Sequence, residues 1–332
     1  MRCCESAGAT HVTWRAERAP SAATARELRA FTRVVDVVQP DLVHLHSSKA
    51  GLVGRLALRG NTPTVFQPHG WSFLSGGALI RRGAFAWERQ AARWTDVVVC
   101  GSHAEADLAR RSGVGGDIRV VHNAVDTARF RPPTIDERLR ARAELGLEEF
   151  RAYVVCVGRL HYQKGQDHLL VAWNRLTADE RFERAELLLI GDGPLRPSLE
   201  AVGARSVRFV GAQDDVRTWL FAADLAVQPS RYETLSLATL EALACGLCVV
   251  ATDIPGMSEA IGTAPAAGGI CVAPDEPAAL SAALQARLID PKIAQNEGQL
   301  GRARVARMFS TDDHTDKIAT AYRQATRDPS FW

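Results

Sequence analysis

Ten short runs of β-branched and aliphatic residues recur along the chain, at 41–47, 63–70, 96–102, 118–124, 152–158, 185–191, 207–211, 225–230, 248–253 and 268–274. Amphipathic segments of helical length separate most of them. Runs such as Val97-Val98-Val99-Cys100 and Leu187-Leu188-Leu189-Ile190 are apolar at consecutive positions, so both faces of the strand must be covered. Strands of that kind, alternating with helices, call for parallel pairing, because a parallel neighbour is reached only through a crossover of helical length. The predicted fold class is α/β, with doubly wound parallel sheets. A chain of 332 residues suits about two such domains. Its 46% hydrophobic and 23% charged residues exclude disorder, collagen and coiled coil.

The alternation breaks once, between Arg129 and Glu149, where a Pro-Pro pair and a short charged helix replace the expected strand. This is the predicted domain boundary. Residues 1–131 are expected to form a first Rossmann-like domain, 132–150 a linker, 151–312 a second Rossmann-like domain, and 313–332 a terminal helix and tail. Two such domains facing each other would put the carboxyl ends of their strands, where ligands bind in such sheets, on the two walls of one cleft. Ser102 followed by Glu105 predicts a capping box, with Gly113 and Gly115 where that helix should stop. The apolar stretch 234–252 is near membrane-spanning length, but Glu241 and Gly246 divide it into a buried helix and a buried strand.

Two constellations carry chemistry. The first strand of the second domain ends in Val157-Gly158-Arg159-Leu160 and leads to Lys164-Gly165. A glycine at a strand end admits a ligand to the backbone, and two cations five residues apart can close on one diphosphate. The competing reading is a turn with two solvated cations. The second is Glu233 and Glu241 in SRYETLSLATLEALACG. With a helix starting near Ser236, Glu233 lies in the loop before it and Glu241 on its second turn. The N–H groups of Leu235, Ser236 and Leu237 then point toward a phosphate, and the carboxylate of Glu241 suits a ribose hydroxyl pair. The competing reading for Glu241 is a helix carboxylate paired with an Arg.

Taken in order, HLHSSKAGLVGRLA, FQPHGWSF, VVHNAVDTARF, VGRLHYQKG, LLIGDGP, VRFVGAQDDV and SRYETLSLATLEALACGLCVVATDIPGMSE resemble the retaining glycosyltransferases of family four, from about Pro40 to Thr326. The resemblance implies the GT-B fold and an enzyme of class EC 2.4. Such an enzyme moves a sugar, hexosyl in type, from a nucleoside diphosphate sugar to a carbohydrate or lipid-linked acceptor hydroxyl. It implies that Arg159 and Lys164 bind the donor diphosphate, that Glu233 lies near the donor sugar and phosphate, and that Glu241 holds the ribose. It also implies that His69, in the HG element, reaches the donor sugar. The implied catalytic set is His69, Arg159, Lys164 and Glu233. The implied donor set is Gly158, Arg159, Lys164, Val210, Glu233, Leu235, Ser236, Leu237 and Glu241. No cofactor, catalytic metal or nucleic-acid partner is expected. Ser236 stands where the family usually has Gly, which leaves the backbone donors in place. The larger departure is at the N-terminus. Family members open with a strand, a Gly-rich loop, a helix and a second strand, whereas this chain opens at what reads as the third strand, HVTW, so the first domain is expected to be incomplete.

The remaining signals refine this reading. Residues 1–131 hold 18 Lys and Arg against 11 Asp and Glu, and the rest of the chain 22 against 27. The SSKAG segment, with Lys49 at a helix start, resembles family members that build cell-surface polysaccharides on lipid carriers, which implies polysaccharide, glycolipid or other glycoconjugate synthesis, and the basic first domain suits peripheral contact at the inner face of the cell membrane. MRCCESAGAT lacks the apolar core of a signal peptide, and seven scattered cysteines fit a reducing compartment, so the expected location is cytoplasmic. Cys245 and Cys248 have redox spacing, but a thiol closing a helix at its negative end is inert. His44 and His46 share a strand face without a third ligand at metal-site spacing. Trp71, Phe73, Trp87 and Trp94 read either as an apolar lip for an acceptor or as core. In Gly191-Asp192-Gly193-Pro194 the third glycine of a dinucleotide fingerprint is missing and Pro194 is expected to start the helix. The rival function is a non-catalytic truncated remnant that binds nucleotide through its C-terminal domain.

Overall fold

The structure, a computed structural model, describes residues 8–14, 16–17, 20–74, 77–203 and 206–331. A strand forms within each of the ten predicted runs or one residue beyond it. Contacts divide the chain into two compact units, one up to Val121 and again from Asp316, the other His122–Thr315.

In the first unit β1 Val43–His46, β2 Thr64–Gln67, β3 Val97–Cys100 and β4 Asp117–Val120 pair in parallel in chain order. Helices α1 Thr24–Val38, α2 Ser48–Leu58, α3 Ala78–Ala91 and α4 His103–Arg111 accompany them. The two-sided burial expected of β3 is met residue by residue. Val98 and Cys100 pack with Leu45, Phe66, Trp71 and Phe73, whereas Val97 and Val99 pack on the other face with Val65, Val121, Ala321 and Ala325. The last two come from α13 Thr311–Thr326. Residues 11–14 carry no regular structure, so the strand expected at HVTW is not formed. Arg55 of α2 and Glu88 of α3 form a buried ion pair (2.8 Å), with the guanidinium 3.8 Å over the Phe66 ring.

The second unit holds β5 Tyr153–Val157, β6 Glu186–Ile190, β7 Val207–Gly211, β8 Leu225–Gln228, β9 Cys248–Thr252 and β10 Gly269–Val272. They form one parallel sheet of order β10-β9-β8-β5-β6-β7. The chain therefore starts in the middle, runs outward through β6 and β7, and returns to the other side of β5. The order reverses between β5 and β8, the position at which open α/β sheets bind ligands. The sheet is covered by α6 Gln166–Thr177, α7 Arg196–Val202, α8 Arg217–Ala222, α9 Leu237–Ala244, α10 Pro255–Ile261, α11 Pro277–Ile289 and α12 Pro291–Met308. Pro194 lies in the turn before α7 and does not start it.

Before β5, α5 Ile135–Glu144 opens with a complete Thr134–Glu137 capping box. Arg138 and Arg142 of α5 both reach Asp224, which also accepts the Tyr153 N–H at 2.7 Å. Among the described residues no helix is long and apolar enough to cross a membrane.

The predicted capping box at α4 forms by half. The Ser102 hydroxyl accepts the Glu105 N–H (3.1 Å), but the buried Glu105 carboxylate accepts the N–H groups of Gly101 and Gly70, each at 2.7 Å. Burial pushes this carboxyl up and the two N–H groups pull it back. The bond to Gly70 holds the bend after β2, where His69 and Gly70 both have positive φ (51° and 109°). Glu105→Gln keeps one acceptor oxygen for two donors. We expect faster amide exchange at Gly70 or Gly101 and a loss of about 1 to 3 kcal/mol in the first unit's stability. Unchanged exchange at both glycines would show that the carboxylate does not hold the bend.

Candidate functional site

After β5 the chain leaves the sheet as Val157-Gly158-Arg159. Buried Gln228 donates to the Val157 carbonyl (2.9 Å) and buried Gln166 to that of Arg159 (3.0 Å). Both carbonyls are thus occupied from within, and the Arg159 side chain is exposed, without an ion-pair partner among the described residues. A Cβ on Gly158 would sit in ordinary contact with the Lys164 stem at 3.5 Å, so the lysine stem lies directly over that strand end. Gly165, at φ 66°, is the tighter case. A Cβ there would lie 2.1 Å from the Pro229 carbonyl oxygen, so only glycine lets the loop after β5 touch the loop after β8.

The second loop brings the partner of Lys164. The Lys164 ammonium pairs with the Glu233 carboxylate, their side chains only 19% and 10% exposed, and the Ser230 hydroxyl donates to the same carboxylate at 3.2 Å. Ser230 is fixed in turn through its carbonyl, which accepts the Thr252 hydroxyl. Three residues beyond Glu233, Ser236 caps α9 by accepting the Thr239 N–H (3.3 Å), and the Asn123 amide holds the Leu235 carbonyl at 3.0 Å. Leu235 is buried and Leu237 half exposed. The structure therefore brings Gly158, Lys164 and Glu233 together at the carboxyl ends of β5 and β8, ahead of a capped helix start.

Glu241 lies on the second turn of α9, as expected, beside the Arg129–Asp215 pair (3.2 Å). Burial pushes its carboxyl up to about 7; Arg129 opposes this and Asp215 adds to it. Val210, near the end of β7, is partly buried against the sheet core.

His69 belongs to the first unit, one residue before Gly70. Its Nε2 lies 3.0 Å from His46 Nδ1 with the two rings stacked, the His46 ring lies tilted against that of His44 with centroids 4.0 Å apart, and His44 Nδ1 meets the Tyr322 hydroxyl at 2.9 Å. Burial, and then His46, lower the His69 pKa, so its imidazole is neutral at pH 7. Of the three imidazoles His44 is half-buried, whereas His46 and His69 are exposed.

Other signals are absorbed by structure. Trp71 and Phe73 are 2% and 1% exposed, which makes them core. The Cys245 thiol is pushed up to about 12, but burial is the main cause and Glu241 the next, where the sequence had pointed to the helix end. Cys245 and Cys248 are both buried and free. Cys3 and Cys4 lie outside the described residues. Lys49 is engaged by buried Glu27 (2.7 Å) and the Thr24 hydroxyl. Sequence reasoning passed over Gln166, Gln228, Asn123 and Arg231. The two glutamines have no local signature. Arg231 stands in the SRYET segment, but its partner Asp167 lies far upstream.

The Glycosyltransferase Family 4 profile matches residues 8–129, and the profile for glycosyl transferases group 1 matches residues 151–290. The chain is 31% identical over 319 residues to the alpha-maltose-1-phosphate synthase of Mycolicibacterium smegmatis, covering 86% of this chain and 79% of that protein. It is 29% identical over 253 residues to the lipopolysaccharide core mannosyltransferase LpsB of Rhizobium meliloti, covering 73% of this chain and 71% of that one. Its fold superimposes on the sucrose-phosphate synthase of Thermosynechococcus elongatus with a TM-score of 0.79 at 25% identity, covering 91% of this chain and 77% of that chain. The fold class is that of the GT-B glycosyltransferases. With its two parallel-sheet Rossmann-like units and this extent of similarity, the chain belongs to the family 4, group 1 glycosyltransferases, enzymes that transfer sugars.

Proposed function

We propose that this enzyme transfers a sugar, with retention of anomeric configuration, from a nucleoside diphosphate sugar to an acceptor hydroxyl during polysaccharide, glycolipid or other glycoconjugate synthesis. The observation that carries the reading is the Lys164–Glu233 contact at the strand-order reversal, with the exposed Arg159 and the start of α9 nearby in sequence. As the glycosidic bond breaks, negative charge grows on the leaving diphosphate. Arg159, Lys164 and the N–H groups of Leu235, Ser236 and Leu237 are our candidates for holding it more tightly in the transition state than in the ground state. Glu233 is assigned to the donor sugar and Glu241 to the ribose. Val210 is assigned to the donor side, and His69, in the first unit, to the donor sugar. Retention follows from same-face attack by the acceptor, with the leaving phosphate taking its proton, which needs no carboxylate on the opposite face of the sugar. UDP is a suitable probe, because Anabaena HepE, a solved structure at 21% identity, is described in complex with UDP.

Contact with an anionic membrane surface is part of the proposal. Leu79 and Ile80, at the start of α3, are 84% and 66% exposed beside exposed Arg81 and Arg82, and apolar side chains flanked by cations suit a lipid interface. Co-sedimentation with vesicles containing phosphatidylglycerol should be lost in a Leu79→Ser, Ile80→Ser variant. Equal binding by the two proteins would remove this part of the reading.

Lys164→Ala removes one charge-assisted contact and should weaken UDP binding, measured by calorimetry with GDP and ADP in parallel, by about 1.5 to 3 kcal/mol. Unchanged affinity would sink the diphosphate assignment.

The raised Glu241 carboxyl gives a pH dependence of known sign. A carboxyl at about 7 is mostly protonated near pH 6 and mostly ionised near pH 8, and only the ionised form accepts from both ribose hydroxyls. The affinity advantage of the parent over Glu241→Gln should therefore grow from about pH 6 to about pH 8. A constant ratio would show that Glu241 does not meet the ribose.

A further inference from the structure

We propose that Arg231 is the positioning residue that sets Lys164 at the height a diphosphate requires; this rests on the reading of Lys164 as a phosphate ligand. The lysine sits in a single short turn, Tyr162–Lys164, between a strand end and α6, and a turn of three residues has too few internal bonds to fix a long side chain. Arg231 supplies the missing constraint. Its side chain is 12% exposed, and the guanidinium makes two bonds to Asp167 (2.9 and 2.6 Å) and one to the Tyr162 carbonyl (2.7 Å) and lies 4.2 Å over the Tyr162 ring. Its backbone N–H donates to the Gln163 carbonyl at 2.8 Å, and the Gln163 amide returns a bond to the Tyr232 carbonyl at 3.1 Å.

Each residue from Tyr162 to Lys164 is thereby tied to the segment 231–233: Tyr162 and Gln163 through Arg231 and Tyr232, Lys164 through Glu233. The Arg231 donors are directed to Asp167 and the Tyr162 carbonyl, and its Nε faces Asp275 at 3.4 Å. Two carboxylates thus neutralise the cation, and its contribution is to geometry. A planar fork bonded to a carboxylate on one side and stacked on a ring on the other is a rigid brace, which a lysine in its place would not reproduce.

Calorimetry on the full chain with UDP, run beside GDP and ADP, tests this as a double-mutant cycle. Arg231→Met should weaken binding by about tenfold when Lys164 is present and by less than about twofold in a Lys164→Ala background, because a brace acts only through what it holds. Asp167→Asn, which leaves the arginine in place but removes its bidentate acceptor, should show the same dependence on Lys164 and serves where Arg231→Met does not fold. Equal losses in the two backgrounds would mean that Arg231 meets the phosphates itself or supports the whole fold, and would overturn the inference, as would full affinity in Arg231→Met. Failure of the underlying reading looks different. In that case Lys164→Ala alone binds as the parent does, or the parent binds none of the three diphosphates, and the inference falls with it.

Discussion

The second unit depends on one pairing, that of β5 with β8. Every other parallel neighbour in its sheet is reached by stepping to the next strand in the chain, but after β7 the polypeptide must return across the sheet to lie against the first strand it made. The helices that follow β5 and β8 pack on opposite faces of the sheet, so the two loops diverge beyond the point where they touch, and the gap beside that contact is a consequence of topology rather than of any side chain. Lys164 enters from one loop and Glu233 from the other. The backbone contact between Gly165 and Pro229 keeps that gap narrow enough for the two charges to meet.

Local periodicity made the strands legible, because burial on both faces writes itself into consecutive apolar residues, as at Val97 to Cys100 and Tyr153 to Val157. The start of α9 was legible for a similar reason, since a cap such as Ser236 acts within four residues of chain. The strand expected at residues 11–14 rested on the family resemblance, and those residues carry no regular structure.

What the sequence hid are the pairs that act over long separations. Glu105 reads locally as the fourth residue of a capping box, yet one of its oxygens is spent on Gly70, in a different loop. Asp224, one residue before β8, joins Arg138, Arg142 and the Tyr153 N–H, three groups from a distant stretch of chain. Such hubs satisfy charges brought into the protein by folding itself, and no local pattern announces a partner that folding supplies. Within the candidate site, Lys164 and Glu233 stand in motifs that the sequence displays, whereas the Arg231–Asp167 pair joins residues far apart in the chain.

The first unit's core has a further consequence for how the protein is made. Ala321 and Ala325 cover the face of the sheet formed by Val65, Val97, Val99 and Val121. Those alanines leave the ribosome only after the whole of His122–Thr315 has been synthesised. Until then, the four valines emerge without their cover, whereas every element of the second unit lies within one continuous stretch. Synthesis therefore reverses the order of the units: the later-encoded one can close its sheet first, and the earlier-encoded one stays open at one face until the last helix arrives.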